Sequence, residues 1–285
     1  MHRCAWFWVL LLLPAVGAAA GPAPAPRVVS LAPSLTELMF AMELDEYLVG
    51  RSSACDYPEA ATAIPVVGGF GRPNWEALWQ QRPDLVLATD LEKPGLREQL
   101  TERGVQVLLL PCESWDELRA AASAIGAAVQ QPERAEAWRA GLDRRLAELE
   151  QRVTGLRGTR PAPSVYVEVW GSPIMTAGRD AFLNEIIRTA GARPIGAALR
   201  GRYQSVSSEW VLKEDPDVIL LAYMLADLQP ADRLAQRLGW GALAAMRAGR
   251  VIDGIDPDLL LRPGPRLIDG VEQLVERLWA LPLPD

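Results

Sequence analysis

The chain has 285 residues, 49% of them hydrophobic and 23% charged. That length suits two lobes with real apolar cores and excludes a largely disordered chain. The formal net charge of -7 argues against nucleic acid or an anionic membrane surface as the main partner.

Met1 to Ala20 carries a basic start (Arg3), an apolar stretch from Ala5 to Val16 and a small-residue end at Ala18-Ala19-Ala20. This pattern is that of a cleavable signal peptide, so the expected mature protein is exported and soluble. Its apolar part is too short for a persuasive membrane span. The single histidine, His2, lies in this leader. The rest of the chain therefore has no means for Ser-His-Asp or Cys-His catalysis, or for a histidine-based metal site. Cys55 and Cys112 remain beyond the leader. Each follows a different strand of the first lobe, so they are expected either to pair across adjacent strand ends or to stay as two free thiols.

In chain order, Arg27 to Ala32 reads as a short strand. Ser34 follows as a cap for the helix Leu35 to Ala41, with Glu37 at the capping-box position. Tyr47–Gly50, Leu85–Ala88 and Val105–Leu110 read as further strands, separated by helical patterns at Gly95–Arg103 and Trp115–Val129. Such alternation predicts a parallel sheet covered on both faces. From about Pro132 to Leu156, Trp138, Leu142, Leu146, Leu149 and Val153 recur at helical spacing, which predicts one long connecting helix. Strands at Val165–Val169, Val218–Leu221 and Arg250–Asp253 follow, with helices at Ala181–Thr189 and Pro265–Leu281. The expected fold is α/β: two lobes with mainly parallel sheets flanked by helices, joined by one long rigid backbone helix. The expected boundaries are a signal peptide at 1–20, an N-terminal lobe at 26–130, the connecting helix at 131–157 and a C-terminal lobe at 161–285.

One unit occurs twice. Asn74-Trp75-Glu76 leads to Pro83-Asp84 and an apolar run, and Ser207-Ser208-Glu209 leads to Pro216-Asp217 and another. In each copy a cap-type residue opens a short helix, a glutamate sits in its first turn, and Pro-Asp precedes a buried strand. A unit repeated at domain-sized spacing implies two similar lobes, each presenting an acid at the same place.

Taken together, Arg27-Val-Val-Ser-Leu-Ala-Pro-Ser-Leu-Thr-Glu37, Cys55-Asp-Tyr-Pro58, the two Glu…Pro-Asp units and Arg262-Pro-Gly-Pro-Arg266 carry a family resemblance. The whole mature chain resembles the helical-backbone periplasmic binding proteins of ABC importers, which capture vitamin B12, iron-siderophores or haem. The Cys-Asp-Tyr-Pro turn and the Phe70 loop are most similar to the vitamin B12-binding branch. Thr89-Asp90 departs from it, standing where the familiar B12 binder supplies a tryptophan. The resemblance implies a ligand in the cleft between lobes, a corrinoid or another metal chelate, with no catalytic residue, no resident cofactor and no protein-bound metal. It implies that Glu76 and Glu209 dock onto arginines of a permease dimer, whereas each would otherwise merely favour its helix dipole. Tyr57, Phe70, Trp170, Tyr203 and Arg262 are the ligand contacts it suggests. The bland readings are turn aromatics for the rings and an interlobe salt bridge for Arg262. Arg72, Arg202 and Arg262 near the cleft would suit an anionic siderophore instead. Trp138 and Trp279 read as core. A hydrolase or redox enzyme is disfavoured, because the chain lacks a G-x-S-x-G elbow, a G-x-G-x-x-G loop and a P-loop.

Overall fold

A computed structural model describes residues 25–90, 95–223 and 234–283. The leader with its expected signal peptide lies outside the described residues. In chain order the N-terminal lobe comprises β1 (Val28–Ser30), α1 (Pro33–Ala41), β2 (Leu48–Arg51), β3 (Gly68–Gly69), β4 (Arg72–Pro73), α2 (Trp75–Gln80), β5 (Leu85–Ala88), α3 (Leu96–Thr101), β6 (Gln106–Leu109) and α4 (Trp115–Ala128). α5 (Pro132–Arg157) connects the lobes. The C-terminal lobe comprises β7 (Ser164–Glu168), β8 (Trp170–Gly171), β9 (Ile174–Ala177), α6 (Phe182–Thr189), β10 (Arg193–Pro194), β11 (Tyr203–Ser205), α7 (Ser208–Glu214), β12 (Val218–Leu221), α8 (Ala244–Arg247), β13 (Val251–Ile252), α9 (Asp258–Leu261) and α10 (Leu267–Ala280).

Each lobe holds a four-stranded sheet, ordered β2-β1-β5-β6 and β10-β7-β12-β13. Every pairing in both sheets is parallel. β5, β7 and β12 are buried along their whole length, as expected of strands covered on both faces. The expected fold class holds.

The repeated unit does the same structural work twice. Asn74 Oδ1 accepts from the Ala77 amide at 3.1 Å, and Ser207 Oγ accepts from the Trp210 amide at 3.2 Å. Both therefore cap their helices three residues on. The Pro-Asp aspartates then reach across to the lobe's central strand. Asp84 accepts from the Arg27 amide just ahead of β1 at 2.8 Å, and Asp217 accepts from the Ser164 amide at the head of β7 at 2.8 Å. Each aspartate thus sets the register between a lobe's first strand and the strand after its short helix.

α5 is 26 residues long, about 39 Å at 1.5 Å per residue. It buries Ala135, Leu142, Leu149 and Val153 and is tied to α10 by Arg145 to Asp269 (2.6 Å) and Glu272 (2.7 Å). One hydrophobic cluster runs through α1, α4, α5, α6 and α10 and joins both sheets. At the lobe boundary the Trp115 ring meets Phe182 edge-on at 5.0 Å and its indole N–H donates to Thr189 Oγ1. A core shared across the boundary resists wide opening of the lobes. Trp279 is buried and Trp138 packs against the same core, as expected.

Three local readings change. Pro33 occupies the first turn of α1, so the helix starts before Ser34, and Ala32 at its N-cap makes no side-chain bond. Proline's fixed φ suits that position. Glu37 forms no capping box and turns toward the other lobe. Among the described residues Cys55 and Cys112 are separate, fully buried thiols, with burial raising Cys112 to about 12. Trp170 and Tyr203 lie on strands rather than in loops, within a small antiparallel sheet ordered β11-β9-β8. Strands of two or three residues leave no periodicity to read.

Candidate functional site

The parallel strands of both lobes end at a common cleft, the place where open α/β sheets present their ligands. The N-terminal lobe offers a hollow of about 230 Å³ lined by Pro33, Ser34, Phe70, Thr89, Asp90 and Glu113, closed from the opposite lobe by Leu261, Arg262 and Pro263. The C-terminal lobe offers a more apolar hollow of about 340 Å³ formed by Val169, Trp170, Pro173, Met175, Tyr203 and Leu261. Leu261 belongs to both hollows, so the two are halves of one interlobe site.

Of the aromatic residues singled out from sequence, Phe70, Trp170 and Tyr203 line these hollows, whereas Tyr57 lines neither. Phe70 stands with Gly71 at the tip of the β3–β4 hairpin, in an ordered two-residue turn rather than a loose loop. Gly71 takes φ +63° and Gly68 φ +138°. A side chain at Gly68 would meet the Asn74 amide nitrogen at 2.5 Å, so only glycine lets the hairpin fold back this tightly. Phe70 is 41% exposed, Tyr57 46% and Tyr203 40%, an unusual degree of exposure for rings held on ordered backbone. Trp170 is half-buried, with its indole N–H donating to the Ser172 carbonyl at 2.8 Å. Tyr57 carries the Arg266 guanidinium over its ring at 3.8 Å, a cation–π contact. Burial and the neighbouring Glu113 charge raise the Tyr203 phenol to about 12. It therefore stays protonated at neutral pH as a hydrogen-bond donor.

Around these rings lie two charged clusters that bridge the lobes. Arg262 donates to Asp56 at 2.7 Å and lies 2.8 Å from Asp258 and 3.5 Å from Glu37. Arg266 clasps the nearly fully buried Glu37 with two bonds of 2.7 and 2.8 Å. At the other side Arg202 grips Asp90 through both oxygens and lies 3.5 Å from Glu113. The Arg262 hydrogen bond lowers the Asp56 pKa, whereas burial raises that of Glu113. Arg262 thus lines the hollow while its donors face three carboxylates. Arg72 is exposed and lies outside both hollows. Among the described residues no cluster of His, Cys, Asp and Glu is arranged to hold a metal.

Glu76 and Glu209 lie outside both hollows and are exposed. α2 and α7 run back against the strands, so their N-termini sit at the strands' carboxyl ends, the same end as the cleft. Bonds to its own amide and to Ser207 lower the Glu209 pKa, keeping it charged.

Sequence reading missed Glu37, Asp56, Glu113, Arg266, Met175 and Leu261 as members of the site. The rule that ligands bind at strand carboxyl ends would have reached Asp56 and Glu113, which follow β2 and β6.

Residues 28–257 match the family described as periplasmic binding protein. The chain belongs to that family. A periplasmic binding protein of this kind is a substrate-binding transport component, not an enzyme. Its relatives include the uncharacterized ABC transporter substrate-binding lipoprotein YvrC of Bacillus subtilis, 31% identical over 89% of this chain and 80% of that protein. The vitamin B12-binding protein of Salmonella typhi is 29% identical over 89% and 90%. Among solved structures, the haem-binding protein BhuT with two haems superposes at TM-score 0.78, with 30% identity over 90% and 98% of the two chains. The vitamin B12-binding protein BtuF of Vibrio cholerae gives 0.74, with 26% identity over 90% and 97%.

Proposed function

We propose that this periplasmic binding protein captures a cobalamin or related corrinoid in the interlobe cleft and delivers it to an ABC importer. Export through the leader, a monomeric state, and docking on the permease through Glu76 and Glu209 belong to the same reading. The observation that carries it is the set of aromatic rings lining the cleft, the exposed Phe70 from one lobe and the half-buried Trp170 and exposed Tyr203 from the other, around an apolar floor, with Tyr57 exposed on the N-terminal lobe. Rings on opposing walls suit a broad, flat macrocycle, which gains affinity by burying its faces and needs few charged contacts. The protein contributes binding and no chemistry.

The haem-binding neighbours favour a second reading, an iron-chelate ligand, in which Tyr57 or Tyr203 would approach the metal. Against it stands the raised pKa of Tyr203, which favours a neutral phenol over a tyrosinate ligand at that position.

Trp170→Ala and Phe70→Ala each test the wall. Losing one stacked ring removes roughly 1–3 kcal/mol, so cyanocobalamin affinity is expected to fall about tenfold to a hundredfold in each variant, with the melting temperature little changed. Titration by intrinsic fluorescence measures it. Unchanged affinity in both variants would place the ligand elsewhere.

A further inference from the structure

The cleft is rich in arginine, yet its arginines already have partners from the facing lobe. Arg202 and Arg262 belong to the C-terminal lobe, and the carboxylates that engage them, Asp90, Glu113, Asp56 and Glu37, belong to the N-terminal lobe. Arg266 is likewise clasped by Glu37. With Asp258, five carboxylates face three guanidinium groups around the hollows. A ligand carboxylate or catecholate entering there meets an excess of negative charge. To reach an arginine it must first displace a carboxylate already held at hydrogen-bond distance. A neutral or cationic chelate has no such penalty and loses nothing by leaving the pairs closed.

We infer that Asp56 and Asp90 are specificity-determining residues, which occupy Arg262 and Arg202 and so select an uncharged or cationic metal chelate over an anionic one. Specificity of this kind comes from a repulsive element aimed at the wrong ligand rather than from added contacts to the right one. Asp90 belongs to the Thr89-Asp90 pair at which the chain departs from the B12-binding branch. The structure gives that departure a use, since an ion pair closes this side of the cleft in place of a ring. The inference rests on the cleft being the ligand site.

The test uses the full mature protein and two probes, cyanocobalamin as the uncharged chelate and haemin as a chelate with two carboxylates. The Asp56→Asn/Asp90→Asn double variant is expected to bind haemin at least tenfold more tightly than the wild type, so that the ratio of haemin to cyanocobalamin affinity rises. The charge-conserving Asp56→Glu/Asp90→Glu variant is expected to keep the wild-type preference. Haemin affinity unchanged or weaker in a double variant that melts normally would overturn the inference. A second arm needs no substitution. Raising ionic strength from about 0.05 to 0.5 M screens the excess negative charge, so haemin binding to the wild type is expected to tighten; weakening would contradict the inference. Failure of cyanocobalamin to bind the wild type would count against the corrinoid reading alone, because both haemin arms remain readable.

Discussion

Replacing both Glu76 and Glu209 by alanine is expected to leave ligand affinity within about twofold of the wild type while reducing importer-dependent uptake by more than tenfold. Two features of the structure separate the effects. Neither glutamate lines either hollow of the cleft, so a ligand held there loses no contact. Both stand at the cleft end of their lobes, in the first turn of helices with matching caps. An exposed carboxylate in that position can pair bidentately with an arginine and steer encounter. Removing a rim charge mainly slows association and reduces its salt dependence. The single variants should each show a partial defect. Uptake measured in cells beside ligand affinity measured on the purified protein separates the roles. Loss of ligand affinity, or uptake at the wild-type level, would remove the docking assignment.

The largest expected effect on stability lies beneath the Trp170 wall. Glu168, at the end of β7, is fully buried and takes two hydrogen bonds from Arg237 at 2.6 and 2.7 Å. Tyr166 donates to it at 2.9 Å, and Tyr223 also donates. The Arg237 guanidinium lies over the Trp240 ring at 4.4 Å. Arg237→Met would leave a buried carboxylate with only two phenols to satisfy it. Breaking a buried pair from one side costs about 3–5 kcal/mol. At roughly 2–4 °C per kcal/mol for a chain of this size, a fall in melting temperature of about 6–12 °C is expected at the lower end of that cost. Thermal unfolding followed by circular dichroism measures it. A shift of a degree or two would mean that the two tyrosines alone hold the charge.

How far the sequence revealed this molecule can be judged from particular residues. The repeat of Glu76 and Asp84 in Glu209 and Asp217 was visible because helix caps, Pro-Asp breaks and apolar runs are local signals. The structure adds that both aspartates bond to the head of a central strand. The long helix was equally legible from its apolar spacing. The small antiparallel sheet holding Trp170 and Tyr203 was not, since its strands are too short to show alternation. The partners of the arginines were not either, although an interlobe salt bridge was one of the two readings of Arg262. Arg262 meets Asp56 across 206 residues of sequence and Arg202 meets Asp90 across 112. Pairing at that range depends on how two lobes face each other, which no local pattern encodes. That pairing reverses the meaning of these arginines, from a reason to expect an anionic ligand into a reason to expect a neutral one.

The most direct test of the account is a side-by-side titration of the purified mature protein with cyanocobalamin, haemin and a ferric catecholate siderophore, followed by its intrinsic fluorescence. The account predicts saturable quenching by cyanocobalamin at the lowest concentration of the three, with a single site per chain. Tight, saturable binding of haemin or the siderophore without binding of cyanocobalamin would contradict it.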